Sequence, residues 1–137
     1  MQKKILLINR EDDFEENLGP KLKAKNYQIE TASSCNEALN KFNSFNPHVV
    51  ITSLMLEHFD SGFVLAHKMK KQNPHLVLLI LTRATHITGI EFSLSTKEER
   101  AWIKADAFLN NPIPVDDLMD IMETALERKE KKVSFNA

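Results

Sequence analysis

Five short apolar runs recur along the chain, and each is too short to form a helix. The second run alternates apolar and polar residues, as a strand with one buried face does. The others are nearly continuous, which is typical of strands buried on both faces of a parallel sheet. We therefore predict five β-strands, at Ile5–Ile8, Tyr27–Ala32, Val49–Thr52, Leu76–Thr82 and Ala107–Leu109.

The segments between these runs carry apolar residues at the three- and four-residue spacing of one helix face. Two of them open with a capping-box pattern, Ser34 with Glu37 and Thr96 with Glu99. Gly19-Pro20 interrupts the first segment, where we expect a kink or a restart. We predict five helices, at about 13–25, 35–45, 61–71, 96–104 and 115–131, followed by a frayed tail at 132–137.

Strands that alternate with helices imply one α/β domain, over residues 1–131, with a doubly wound parallel sheet and helices on both faces. The commonest small (βα)5 arrangement has the strand order 2-1-3-4-5. Its ligand site lies beyond the carboxyl ends of the strands, at the point where the strand order reverses. The residues that follow the predicted strands at that edge are Asn9, Arg10, Ser53, Thr82 and Asn111.

Composition narrows the partners that the domain can have. The chain has 137 residues, with 18 Lys and Arg against 19 Asp and Glu, and this balance argues against non-specific nucleic-acid binding as its main role. No apolar run reaches the length needed to span a bilayer or to form the core of a signal peptide. One cysteine, Cys35, fits a reducing compartment. We expect a cytoplasmic protein that binds neither nucleic acid nor membrane.

Five segments, in order and at matching spacing, resemble a response regulator receiver domain, the CheY-like and flavodoxin-like five-stranded fold. The resemblance covers about residues 3–130 and gives the same strand order. The matching segments are "KKILLINRED", "ASSCNEAL", "PHVVITSLMLEHFDSGF", "LLILTRA" and "ADAFLNNPI".

The resemblance also assigns chemical roles to positions. In this family an aspartate after the third strand takes a phosphoryl group from a histidine kinase, and an acidic pair after the first strand binds Mg²⁺. These roles fall on Ser53 and on Asn9 and Arg10, so all three positions lack the carboxylate that the family uses. The family's lysine before a proline after the fifth strand falls on Asn111, which precedes Pro112.

Two other positions keep the residue type of the family. Thr82 supplies the hydroxyl that binds the phosphoryl oxygen in active receivers, and Phe108 keeps the aromatic residue that changes rotamer on activation. The simpler alternatives are that Ser53 and Thr82 are small polar residues lining a wet pocket, that Phe108 is ordinary core, and that Arg10 points into solvent.

Loss of the carboxylates predicts loss of the switch chemistry. Mg²⁺ needs carboxylate oxygens in near-octahedral geometry, and a serine hydroxyl needs a base or a metal to activate it. Sequence therefore predicts a pseudo-receiver with no metal, no cofactor and no enzymatic activity, which acts by protein–protein interaction without aspartyl phosphorylation. The alternative is a receiver-like domain regulated by a small ligand at the strand-end pocket. An enzyme on this fold is disfavoured because the chain has no phosphate-binding glycine loop.

The partner is expected to be a signalling protein, such as a histidine kinase or an output domain. The resemblance suggests docking, or homodimer formation, on the face built from the helix at 96–104, the fifth strand and the last helix. Trp102 and Ile103 are adjacent in that short helix, so both cannot centre on its buried stripe, and an exposed one would mark a partner surface. The apolar connection at 83–95 is expected to fold over the strand-end pocket.

Overall fold

The computed structural model describes residues 3–9, 18–53, 61–82, 106–110 and 114–135, with side chains for all of these except 82, 107, 108, 110 and 130–135. The strands are β1 (Lys4–Ile8), β2 (Gln28–Ala32), β3 (Val49–Ser53), β4 (Val77–Thr82) and β5 (Ala107–Asn110). The helices of the described residues are α1 (Leu18–Ala24), α2 (Cys35–Phe45), α3 (Ser61–Gln72) and α4 (Val115–Phe135).

The strands form one parallel sheet in the order β2-β1-β3-β4-β5. This order is the predicted one, and the parallel α/β fold class is confirmed. Ile8 of β1 lies opposite Thr52 of β3, and Ser53 lies opposite Leu81 of β4. Because the pairs stay in register along the strands, the carboxyl ends of β1, β3 and β4 meet at one edge of the sheet.

Alternate strand residues enter two separate cores, one on each face of the sheet. All five residues of β3 are buried, as expected for a central strand covered on both sides. On the first face the strand residues pack against α2 and α3: Leu6, Ile8, Val50, Leu78 and Ile80 with Ala38, Phe42, Leu65, Ala66 and Met69. On the second face they pack against α1 and α4: Ile5, Leu7, Val49, Ile51, Val77, Leu79 and Leu81 with Leu18, Leu22, Val115, Leu118, Met119 and Met122.

The capping box predicted for α2 is present with one change. The Ser34 hydroxyl accepts a hydrogen bond from the Glu37 N–H at 3.2 Å, as an N-cap residue should. The Glu37 carboxylate reaches back to the N–H of Ser33, at 2.7 Å, rather than to that of Ser34. That bond lowers the pKa of Glu37. The helix ends at Asn46, which adopts the left-handed conformation (φ 53°) directly before Pro47.

Three boundaries differ from the sequence predictions or fall outside the described residues. The last helix continues to Phe135, four residues past its predicted end at Lys131, since no glycine or proline stops it there. In α1 the Gly19-Pro20 pair lies in the first described turn, and the residues before it, where the predicted kink or restart would show, lie outside the described part of the chain. The predicted helix at 96–104 and the connection at 83–95 lie outside the described residues. None of the helices in the described part of the chain is long and apolar enough to cross a bilayer.

Asp106, directly before β5, joins three elements at the amino end of the sheet. Its Oδ2 accepts hydrogen bonds from the Leu78 N–H at 2.7 Å and from Lys70 Nζ at 2.6 Å. Its Oδ1 lies 3.3 Å from Lys129 Nζ. Lys70 comes from α3 on one face and Lys129 from α4 on the other, so this Asp106 clamp ties both helix layers to β4 and β5. Burial lowers the pKa of Lys70, and the Asp106 carboxylate opposes that shift.

We expect Asp106→Asn to lower the free energy of unfolding by about 1–3 kcal/mol, because two partly buried lysines lose their carboxylate. Urea denaturation of the two proteins measures the difference. Asp120→Asn is the matched control, since Asp120 is exposed on α4, and it should change stability by less than about 0.5 kcal/mol. Equal stabilities of the two variants would show that the clamp contributes nothing measurable.

Candidate functional site

The predicted site lies at the carboxyl edge of the sheet, between the ends of β1 and β3. The Asn9 N–H donates to the Ala32 carbonyl at 3.0 Å, so the chain keeps its pairing with β2 one residue past β1. Because Ile8 lies opposite Thr52, Asn9 follows β1 at the level of Ser53, the last residue of β3. The structure therefore brings together the first-strand and third-strand positions that the sequence singled out.

The end of β3 is polar but buried. Thr52 is fully buried, and Ser53 is only 5% exposed. The Thr52 hydroxyl donates to the Ser53 carbonyl at 3.0 Å, so it is used locally rather than offered to a ligand. The end of β3 therefore presents two small hydroxyl side chains that are buried.

Ser61 is a further buried hydroxyl residue that the sequence analysis did not single out. It opens α3 and is 2% exposed, and Gly62 beside it is also buried. Its position in the sequence could have indicated this residue, because Ser61-Gly62 begins the helix that follows β3. Thr52 is also a buried hydroxyl residue next to Ser53, and the strand pattern alone does not distinguish it from its apolar neighbours.

The fourth-strand and fifth-strand positions lie where the sequence placed them along the backbone. Thr82 ends β4 and lies opposite Asn110 of β5. Phe108 lies within β5, opposite Ile80. Thr82 therefore falls at the same edge of the sheet as Ser53, one residue beyond the Leu81 partner of that serine.

Several predicted positions lie outside the described residues. These are Arg10 of the acidic-pair position, Asn111 of the lysine position, and the proposed partner residues Trp102 and Ile103. Their roles stay predictions.

In the described part of this edge, Asn9 and Ser53 occupy the positions that would bind a cation. One contributes an amide and the other a hydroxyl, and neither carries charge. Within the described ranges no cluster of three or more His, Cys, Asp or Glu residues is placed to hold a metal ion. Mg²⁺ is bound mainly through carboxylate oxygens. The two described positions therefore do not fit the Mg²⁺ site that a receiver fold implies.

Solved structures of receiver domains share the architecture. The chain superimposes on a CheY-like response regulator receiver domain protein from Methanospirillum hungatei JF-1 with a TM-score of 0.78 and 20% identity, covering 96% of this chain and 99% of that one. A response regulator receiver domain protein from Clostridium thermocellum gives a TM-score of 0.73 at 29% identity, covering 93% and 97%. NtrX from Brucella abortus gives 0.78 at 23% identity, covering 99% of this chain but 29% of NtrX.

Sequence relatives include two proteins named probable transcriptional regulator ycf27. The protein from Porphyridium aerugineum is 28% identical over 140 residues, which is 99% of this chain and 53% of that protein. The protein from Guillardia theta is 29% identical over 115 residues, which is 76% of this chain and 45% of that protein. The chain thus spans about half the length of these relatives.

The family assignment agrees with the sheet order and with the placement of the strand-end positions. The model of the response regulator receiver domain matches residues 5–123, which is most of the chain. This chain belongs to the response regulator receiver domain family.

Proposed function

We propose that this receiver domain is a pseudo-receiver, which signals by protein–protein interaction without aspartyl phosphorylation. The observation that carries the proposal is Ser53. It is the last residue of β3, it is 5% exposed, and it lies at the strand end where the family places its phosphoacceptor. A hydroxyl stands there in place of a carboxylate, and Asn9 at the end of the neighbouring strand adds an amide.

The chemistry of phosphoryl transfer supports this proposal. Transfer depends on positioning of the reactants and on neutralisation of charge by a metal and a cation. Ser53 would need a base or a metal to become a nucleophile. Thr52 and Asn9, its neighbours along the strand and across the sheet, are not bases at neutral pH. The described strand-end residues therefore offer neither an activated nucleophile nor a metal site for reaction with a phosphodonor.

The two hydrophobic cores that hold the partner surfaces in place do not contain the strand-end residues. Both cores are built from aliphatic and aromatic side chains, and the Asp106 clamp lies at the opposite edge of the sheet. The polar strand-end residues Asn9, Thr52 and Ser53 belong to neither core. The domain can therefore keep receiver-like surfaces after loss of the switch chemistry.

One side of α4 supports a partner surface next to β5. Leu109 of β5 and Ile121 and Ala125 of α4 are half-buried apolar residues at the margin of the second core. Lys129 extends from α4 to Asp106 at the start of β5, which places that side of α4 toward the β5 edge. Trp102 and Ile103 precede β5 in sequence and would extend the same surface. An apolar surface with polar neighbours suits a signalling protein such as a histidine kinase or an output domain.

We expect incubation with acetyl phosphate and Mg²⁺ to leave the protein unmodified, because the described strand ends provide no carboxylate as acceptor or as metal ligand. Intact-protein mass spectrometry and Mg²⁺ titration test this. Ser53→Ala is the control and should behave identically. A phosphoryl adduct on the wild-type protein that is absent from Ser53→Ala would show that the serine is an acceptor.

Ser53→Asp alone should not bind beryllofluoride with Mg²⁺. We expect the new carboxylate to pair with the Arg10 guanidinium, which occupies the position instead of opening it to a metal. The variant N9D/R10D/S53D/N111K restores every family residue type and is the positive comparison. Fluorine NMR measures whether each of the two variants binds beryllofluoride. Binding by Ser53→Asp alone would overturn the role given to Arg10.

Trp102 and Ile103 are each replaced by a polar residue. We expect one of the two variants to capture less partner protein while its melting temperature stays nearly unchanged. The reason is that an exposed large apolar residue contributes to binding but little to folding. Quantitative pull-downs with Trp102→Ser, Ile103→Ser and wild type as baits measure this. Val64→Ser is the matched control, since Val64 is an apolar residue 39% exposed on α3. Unfolding of both variants, or unchanged capture by both, would exclude this surface.

A further inference from the structure

His48 is a half-buried histidine between the end of α2 and the start of β3, and its ring accepts a main-chain hydrogen bond. The Lys4 N–H, at the start of β1, donates to His48 Nδ1 at 3.0 Å. The His48 N–H donates in turn to the Lys4 carbonyl at 2.9 Å, and the His48 carbonyl accepts from the Val77 N–H of β4 at 3.2 Å. His48 therefore joins the amino ends of β1, β3 and β4.

The Lys4 side chain attaches the same end of β1 to α2. Lys4 Nζ donates to the carbonyl of Phe45, the last residue of α2, at 3.2 Å. The same atom lies 5.5 Å from the centre of the Phe45 ring. A cation is stabilised here because a helix C-terminus carries partial negative charge and an aromatic face attracts positive charge. Lys4 is therefore held through both its main chain and its side chain by the short segment 45–48.

The bond to Nδ1 determines which form of the imidazole fits this position. An N–H donor faces Nδ1, so Nδ1 must carry a lone pair, and the proton of the neutral ring then lies on Nε2. Protonation of the ring adds an N–H at Nδ1, directly opposite the Lys4 N–H. Two donors cannot bond to each other, so the Lys4 N–H loses the acceptor that it has in the neutral state. The fold therefore favours the neutral form of His48.

The charges on the surrounding elements act in the same direction. Within the described part of the chain, the basic side chains on β1, α2 and the turn before β4 are Lys3, Lys4, Lys41 and His75. Nearby carboxylates have cationic partners of their own. Glu30 and Glu37 each lie within 4.0 Å of Lys41 Nζ, and Asp106 belongs to its clamp. Because a neighbouring cation disfavours the charged form of an imidazole, these groups also oppose protonation of His48.

We infer that His48 is a pH-sensitive latch, whose protonation detaches the amino end of β1 from β3. The direction follows from the linkage of protonation to folding. An unfolded chain binds a proton at an ordinary histidine, with a pKa of about 6.5, whereas the folded chain resists that proton. The latch therefore contributes its full stability above about pH 6.5 and loses it progressively as the pH falls below that value.

His48→Asn tests the inference, because an asparagine Oδ1 can accept the Lys4 N–H but does not titrate. Urea denaturation at about pH 7.5 and about pH 5.5 measures the folding equilibrium constant of each protein. Between these conditions the constant of the wild type should fall by roughly three- to tenfold more than that of His48→Asn, since an ordinary histidine is protonated about ten to one at the lower pH. His67→Asn is the matched control, because His67 is exposed on α3, and it should keep the pH dependence of the wild type. Equal losses in the wild type and His48→Asn would overturn the inference.

Nitrogen and amide NMR of the unsubstituted protein tests the latch without any variant. At neutral pH, His48 Nε2 should carry the proton and Nδ1 should not. Acidification should lower the hydrogen-exchange protection factor of the Lys4 amide. A proton on Nδ1 at neutral pH, or an unchanged protection factor at Lys4, would also overturn the inference. None of these results bears on phosphorylation at Ser53 or on capture through Trp102 and Ile103, so the pseudo-receiver proposal stands or falls separately.

Discussion

Burial of β3 on both faces is the constraint on which the rest of the structure depends. All five of its residues are buried, and it pairs with β1 on one side and β4 on the other. A strand in this position can supply functional groups only at its carboxyl end, where the packed layers stop. The identity of Ser53 therefore decides much of the chemistry at this end of β3, and its small hydroxyl is compatible with burial there.

Fold and chemistry are separable in this domain for a physical reason. The stability of the sheet comes from aliphatic residues that alternate between two cores, each contributing apolar area removed from water. The residues at the strand ends contribute little to that total. A chain whose fold is held this way can carry Asn9 and Ser53 at its strand ends and still superimpose on a receiver structure with a TM-score of 0.78. The same separation explains why the family assignment rests on the whole chain and the proposed loss of phosphorylation rests on a few side chains.

Sequence patterns predicted the sheet well because each strand had a strong and short-range signal. The continuous run before Ser53, the proline after Asn46 and the Ser34 cap each act within a few residues, so their effect can be inferred without tertiary information. The positions of Asn9 and Ser53 at one edge followed from parallel topology alone. The burial of Ser61 did not, since burial of a helix-opening serine depends on how the helix meets the sheet.

The contacts that sequence could not predict join residues far apart in the chain. Asp106 gathers Lys70 and Lys129, and Tyr27 reaches Glu123 across 96 positions. No periodicity marks such partners, because Lys70, Lys129 and Glu123 are each one of many charged residues on a helix surface until the fold brings the partners together. These two contacts fix the two sides of α4, one toward β5 and one toward α1. The pseudo-receiver that we propose would depend on such fixed surfaces, because without phosphorylation its specificity would come from complementarity alone.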